Sequence, residues 1–201
     1  AAVQTLPPVS AEERAKLAQW WDLQPRVELP VPSNGAKVVI VKFSDYQCPA
    51  CKATHEAYKP LLARHGGDVR YVLKHFPLEP ECNPGAPGGN HFASCEAAAA
   101  VELARTTGMA DKLEDWIFAN IGPPPLTPAQ VRQAARDVGG LTDFDSRYAG
   151  ALELVRTDAG LGKLLGVNST PTFFINGRRL PQAVAPQYLE VLIELELKRA
   201  Q

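Results

Sequence analysis

No stretch of this 201-residue sequence comes near the run of about 20 apolar residues that a bilayer-spanning helix needs. The opening Ala1-Ala2-Val3-Gln4 has no basic segment leading into an apolar one, so neither a secretory signal nor a membrane anchor is expected in this chain. An excess of one charge is missing as well. With 21 basic and 22 acidic residues the formal net charge is -1, which argues against a nucleic-acid partner. There is no internal repeat and no low-complexity tract. Cysteine is scarce, at four residues (Cys48, Cys51, Cys82 and Cys95), and a chain of this length does not need cross-links to hold a core. What remains, 45% hydrophobic and 21% charged residues, is the composition of a well-buried globular domain. The cysteines must therefore be read for what each pair does.

Cys48-Pro49-Ala50-Cys51 carries the strongest signal. It follows the apolar, β-branched run Val38-Val39-Ile40-Val41 and opens a helix over Lys52 to Ala63. Backbone N–H groups and the positive end of the helix dipole favour a thiolate at such a start, most of all on the first, more exposed cysteine. The second lies one turn later on the same face, close enough to attack a mixed disulfide on the first and release the partner. Cys48 is thus expected to be the nucleophile and Cys51 the resolving thiol. The competing reading is zinc, with Cys48 and Cys51 joined by Cys82, Cys95, His55 or His91. The second cysteines are not at knuckle spacing, and zinc leaves the late Thr170-Pro171 unexplained, so no metal and no organic cofactor is expected.

Residues 1–35 read as an N-terminal arm. Ser10-Ala11-Glu12-Glu13 has capping-box form and starts a short helix through Trp21, after which Pro25, Pro30 and Pro32 extend the chain. Trp20 and Trp21 either pack the arm down or leave it loosely attached. Ala36 to Ser44 reads as a central strand and Val69 to Phe76 as a second, with the cysteine helix between them, kinked at Pro60 and ended by His65-Gly66-Gly67. That is a β-α-β unit. A Gly/Pro-rich loop follows, then helices over about residues 93–106, 109–121, 128–139 and 144–165. Strand character returns at Thr172-Phe173-Phe174-Ile175. Asn176-Gly177 is a two-residue hairpin turn, Arg178-Arg179-Leu180 the returning strand, and Pro186 opens a last amphipathic helix. The strands come from both ends of the chain, so the helices between them, about 91–165, read as an insertion within one domain over residues 36–199.

A strand leading into Cys-Pro-Ala-Cys, a helical insertion, and Thr170-Pro171 before a hairpin resemble the thioredoxin superfamily. The insertion resembles that of the DsbA-like thiol oxidoreductases of bacterial envelopes. Phe43-Ser44-Asp45-Tyr46-Gln47-Cys48-Pro49-Ala50-Cys51 and Ser169-Thr170-Pro171-Thr172-Phe173-Phe174-Ile175-Asn176-Gly177 carry the likeness. The segment around Cys82, Asn83, Pro84, His91 and Cys95 is similar to the thioredoxin-like domains fused to, or paired with, vitamin K epoxide reductase-type membrane proteins. The resemblance implies an α/β thioredoxin fold: a central mixed sheet flanked by helices, with the insertion between a β-α-β half and a C-terminal β-β-α half. It implies a protein thiol–disulfide oxidoreductase acting on thiol- or disulfide-containing proteins in the bacterial periplasm or cell envelope. A quinone-linked membrane partner of the vitamin K epoxide reductase type would reoxidise it. The resemblance also implies a cis bond before Pro171, and a substrate strand pairing with the loop at Thr170 and Pro171.

Two roles compete for a joined Cys82 and Cys95, with free thiols as the remaining alternative. A disulfide between them is either a staple on the Gly/Pro-rich loop, worth about 3 kcal/mol in the chain-entropy model, or a second redox pair that exchanges with Cys48-Cys51. A disulfide there implies an oxidising compartment. Thioredoxin-like chains often carry an acid six residues before the first cysteine; here that residue is Lys42, which either tunes the thiols toward thiolate or snorkels to the surface. Asp45, Glu56 and His55 lie near enough in sequence to take over the proton role. His55 is expected on the helix surface and His91 in loop packing. The Pro49-Ala50 dipeptide implies an intermediate to oxidising potential, so oxidation of substrate thiols is the expected direction. The alternatives are a disulfide reductase or isomerase, and a binding or chaperone module without turnover.

Overall fold

The computed structural model describes residues 7–200. The chain divides into two compact units. The first is formed by the chain up to Lys42, by Glu56–Val72, and by the chain from Thr172 onward. Its frame is the sheet. β-branched and aromatic residues make β1 (Val38–Ser44), β2 (Val69–His75), β3 (Thr172–Ile175) and β4 (Arg178–Leu180), in the spatial order β2-β1-β3-β4. β3 and β4 pair antiparallel, with Phe173 opposite Leu180 and Ile175 opposite Arg178. The turn joining them requires left-handed backbone at Asn176 and Gly177, with φ of 46° and 81°. The Asn176 side chain also accepts from the Val39 N–H at 2.8 Å, which ties the hairpin to β1. This is the mixed sheet of the expected thioredoxin fold.

Val38, Ile40, Phe173 and Ile175 bury one face against Leu189, Leu192 and Ile193 of α7 (Pro186–Arg199). The N-terminal segment belongs to the same core. α1 (Ala11–Leu23) begins with the Ser10/Glu13 capping box, and Trp21 is fully buried. The indole N–H of Trp21 donates to the Glu196 carboxylate at 2.9 Å, and Arg26 reaches the same carboxylate at 3.0 Å. Arg178 donates to the carbonyls of Trp21, Asp22 and Gln24. A side chain at Gly177 would collide with the Val27 carbonyl, so glycine is needed there for closeness as well as for φ.

The second unit comprises Phe43–His55 and Leu73–Pro171. It holds the start of α2 (Pro49–Ala63) together with α3 (Ser94–Ala104), α4 (Ala110–Asn120), α5 (Pro128–Asp137) and α6 (Phe144–Leu164). The spacing expectations for these helices hold to within a few residues. α2 starts three residues earlier than the apolar pattern suggested, because Pro49 is preset for the first helical turn. Ala97, Ala98, Ala99 and Ala100 of α3 are fully buried, and these small side chains let α4, α5 and α6 pack closely on it. Leu113, Ile117, Phe118, Leu141, Phe144 and Val155 fill the space between. α5 is capped as expected, the Thr127 hydroxyl accepting from the Gln130 N–H.

Candidate active site

Cys48 is the residue just before α2. Its carbonyl accepts the first helical bond, from the Lys52 N–H at 3.1 Å, so it takes the N-cap position and Cys51 sits in the first turn. Both are free thiols. Cys48 keeps 7% exposure and Cys51 none, which leaves Cys48 as the sulfur that can be approached. Pro49 and Ala50 between them are exposed. The Cys48 thiol is lowered from 9.0 to about 6. The largest cause is a hydrogen bond from the Cys51 thiol; burial opposes it, Thr170 and the Cys51 backbone lower it further, and the charge of Asp45 raises it. Cys51 in turn accepts from the Asp45 N–H at 3.5 Å.

Thr170 and Pro171 stand at the same place. The Thr170–Pro171 peptide bond is cis, and Cys48 Sγ lies 3.5 Å from the Thr170 carbonyl oxygen. The structure therefore brings Cys48, Cys51, Thr170 and Pro171 together from sequence positions more than a hundred residues apart. Lys42, in β1, is wholly buried and does not snorkel.

Asp45, a candidate only by its nearness to the thiols in sequence, is the hub of the site. Its fully buried carboxylate takes four donors: the Gln47 N–H at 2.6 Å, His91 Nδ1 at 3.0 Å, the Ser94 hydroxyl at 3.1 Å and the Leu78 N–H at 2.6 Å. Those donors come from three separate stretches of chain, so no local pattern announces them. The pKa of His91 is raised, first by its hydrogen bond to Asp45, against burial. His91 is thus more than loop packing. His55 also departs from expectation. Its ring packs on Phe118, its Nε2 meets Asp115 at 2.6 Å, and its side chain is only 12% exposed.

Beside Pro49 lies a groove of about 510 Å³, lined by Gln47, Lys52, Asn90, His91 and the 121–126 segment. Gln47 holds two of its walls, accepting from the Ala93 N–H at 2.7 Å and donating to the Leu126 carbonyl at 2.9 Å. Cys82 and Cys95 form a disulfide with Cα atoms 5.9 Å apart, and neither sulfur-bearing residue has any exposed surface. Glu79 accepts from the Cys95 N–H at 2.8 Å, and burial raises its pKa to about 7. Glu79, Glu81 and Cys95 are the one grouping of possible metal ligands among the described residues, and its sulfur is already committed to the disulfide. No helix among the described residues is long and apolar enough to cross a membrane.

The family model described as Thioredoxin matches residues 33–195. The chain is 32% identical over 149 residues to a Na(+)/H(+) antiporter NhaA 1 of Mycobacterium sp. (strain KMS), covering 72% of this chain and 22% of that protein. It thus spans about a fifth of the length of the curated relatives it matches. Among solved structures, a thioredoxin-like oxidoreductase from Silicibacter pomeroyi DSS-3 superposes with a TM-score of 0.62 at 25% identity, over 85% of this chain and 91% of that one. Wolbachia pipientis alpha-DsbA1 superposes with a TM-score of 0.68 at 18% identity, over 89% and 95%.

Proposed function

The chain belongs to the thioredoxin family and has a DsbA-type oxidoreductase fold with a Cys48-X-X-Cys51 dithiol, and on that premise we propose that it oxidises the thiols of protein substrates. The observation that carries the direction is the acidity of Cys48. Whatever stabilises its thiolate stabilises the reduced dithiol, and so makes the Cys48–Cys51 disulfide a better oxidant. In the first step a substrate thiolate attacks Cys48 Sγ. The Cys48–Cys51 bond breaks and its electron pair goes to Cys51 Sγ. A second substrate thiolate then attacks the substrate sulfur, and the pair returns to Cys48. Two electrons pass from two substrate thiols to the dithiol.

Thr170 and Pro171 are the proposed substrate-binding residues, because the Thr170 carbonyl already lies against Cys48 Sγ and an extended segment can pair with that backbone. Lys42 is proposed to favour the thiolate from its place six residues before Cys48. The Cys82–Cys95 disulfide supports an extracytoplasmic, oxidising location, and its complete burial supports a structural role over a second exchange site. A quinone-linked membrane partner of the vitamin K epoxide reductase type is the proposed source of reoxidation. The proposed division is an arm over residues 1–35 and one domain over 36–199 with a helical insertion at about 91–165.

Cys51→Ala provides the test. Without the resolving thiol, mixed disulfides should accumulate on Cys48 in cells and be released by reductant. Reduced folding substrates in that set support oxidation. Capture only of already oxidised proteins by the reduced variant points to the reductase or isomerase reading, and recovery of no disulfide-linked species refutes the exchange scheme.

A further inference from the structure

We infer that the groove beside Pro49 takes the substrate segment next to the reacting cysteine, and that it selects an apolar residue together with a carboxylate. The inference rests on the oxidoreductase reading and adds a substrate class to it. Gln47 and Pro49, the neighbours of Cys48 on either side, both line the groove. A chain lying in it therefore passes within a residue or two of the reacting sulfur, at roughly 3.3 Å per extended residue.

The chemistry of the lining is one-sided. Pro49, Ile121, Pro123, Pro125 and Leu126 give it an apolar wall, Lys52 and His91 are its basic residues, and no acidic side chain lines it. Lys52 has no ion-pair partner among the described residues, unlike Arg14, Arg64, Lys74 or Arg132. His91 is held by Nδ1 on Asp45, while its Nε2 has no hydrogen bond among the described residues. Asp45 cannot turn outward to neutralise Lys52, since its carboxylate is fully buried and carries four donors. The charged groups around the imidazole are Asp45 from the β1–α2 loop, Cys48 before α2, Glu79 from the loop after β2, and Lys52 sharing the groove. The hydrogen bond to Asp45 raises the pKa of His91 against burial and so favours the cationic imidazole on the face turned to the groove, beside Lys52.

Redox state gates this preference. In the disulfide form Cys48 is uncharged and the groove is positive. After exchange Cys48 is a thiolate beside the same cations, and His91 responds to its charge. An acidic segment is then held less tightly and leaves.

The test pairs binding with turnover, using the full chain in its Cys48–Cys51 disulfide form. The probes are synthetic peptides in which one cysteine is flanked by leucine and glutamate, or by leucine and lysine, with cysteine-to-serine versions for binding by fluorescence anisotropy. The acidic peptides should bind and react about fivefold to tenfold better at low salt, with the gap closing as salt rises. Reduction of the protein should weaken binding of the acidic serine peptide. In Lys52→Glu the acid-to-lysine ratio should fall below one, and in His91→Gln it should shrink; comparing two peptides on one variant cancels any change in basal rate. Equal rates and equal binding for the two peptides, with turnover intact, overturn this inference and leave the oxidase reading standing. Acid-selective binding with no exchange by any thiol, 2-mercaptoethanol included, supports the groove and overturns the oxidase reading. Selectivity that survives in the Lys52→Glu/His91→Gln double variant also overturns the inference.

Discussion

Replacing Cys51 by alanine should raise the pKa of Cys48, because the Cys51 thiol is the donor that lowers it most. In the wild type Cys48 falls from 9.0 to about 6, so at pH 7 about ten thiolates stand for each thiol, where an ordinary cysteine has about one in a hundred ionised. Thiolate absorbance in the ultraviolet, followed across pH with Cys82–Cys95 kept oxidised, should give a midpoint near 6 in the wild type and a clearly higher one in Cys51→Ala. Stability carries the same signature. The folded pKa lies below the unfolded one, so between them the unfolded chain holds a proton that the folded chain has lost. Stability of the reduced form therefore rises with pH through that window, by about 1.4 kcal/mol per pH unit, and the gain is lost as pH falls through about 6. The oxidised protein has no such dependence. Reduced-minus-oxidised stability from urea unfolding should increase by about 2.5 kcal/mol between pH 5.5 and pH 8. A wild-type midpoint near 9.0, or one that Cys51→Ala leaves unmoved, would refute the account of why Cys48 is acidic.

Three further outcomes bear on the scaffold. Cys82→Ser/Cys95→Ser should cost about 3 kcal/mol in urea unfolding yet leave exchange with a small-molecule disulfide intact, since both residues are fully buried; lost exchange at unchanged stability would make the pair a relay instead. Glu79→Gln should stabilise the protein at pH 8 and change little at pH 4. The folded pKa of about 7 lies above the unfolded one, so the wild type loses stability as pH rises from about 4.5 to about 7; equal effects at both pH values would refute burial as the cause. Glu196→Ala should cost about 2–4 kcal/mol in thermal or urea unfolding, because it leaves the buried Trp21 indole N–H and the Asn176 amide without their acceptor. A loss below about 0.5 kcal/mol would show that the N-terminal segment is held by packing alone.

Elements whose signal is local were readable from the sequence. Asn176-Gly177 demands left-handed backbone, Thr127 and Gln130 cap each other three residues apart, and the β-branched run before Cys48 leaves little choice but a buried strand. Even Thr170–Pro171 beside the thiols was reachable, though through family likeness rather than spacing. Asp45 was not. Its four partners sit at positions 47, 78, 91 and 94, and only the folded chain makes them neighbours. The same holds for His91, which a sequence offers as one imidazole in a Gly/Pro-rich loop. Its raised pKa and its fixed ring both follow from an acid 46 residues away.

That distribution of information bears on how the chemistry is set. The dipeptide between the cysteines, Pro49-Ala50, offers no charge, and neither residue is among the causes of the Cys48 shift. The lowering comes from Cys51 and Thr170, and Asp45 works against it. Beside that cost Asp45 does other work: it orders the loop before α3, fixes Gln47 and pins His91. The hydrogen bond to Asp45 favours the protonated form of His91, and in that form the imidazolium offsets the carboxylate's repulsion of the Cys48 thiolate. Acidity at Cys48 is thus set by Cys51 and Thr170, while the character of the groove beside it is set by one buried carboxylate and the donors gathered on it. His91 is coupled to both, so His91→Gln should weaken selection of acidic peptides and raise the Cys48 midpoint in the same variant, and a midpoint left unmoved would show that His91 does not act on the thiol.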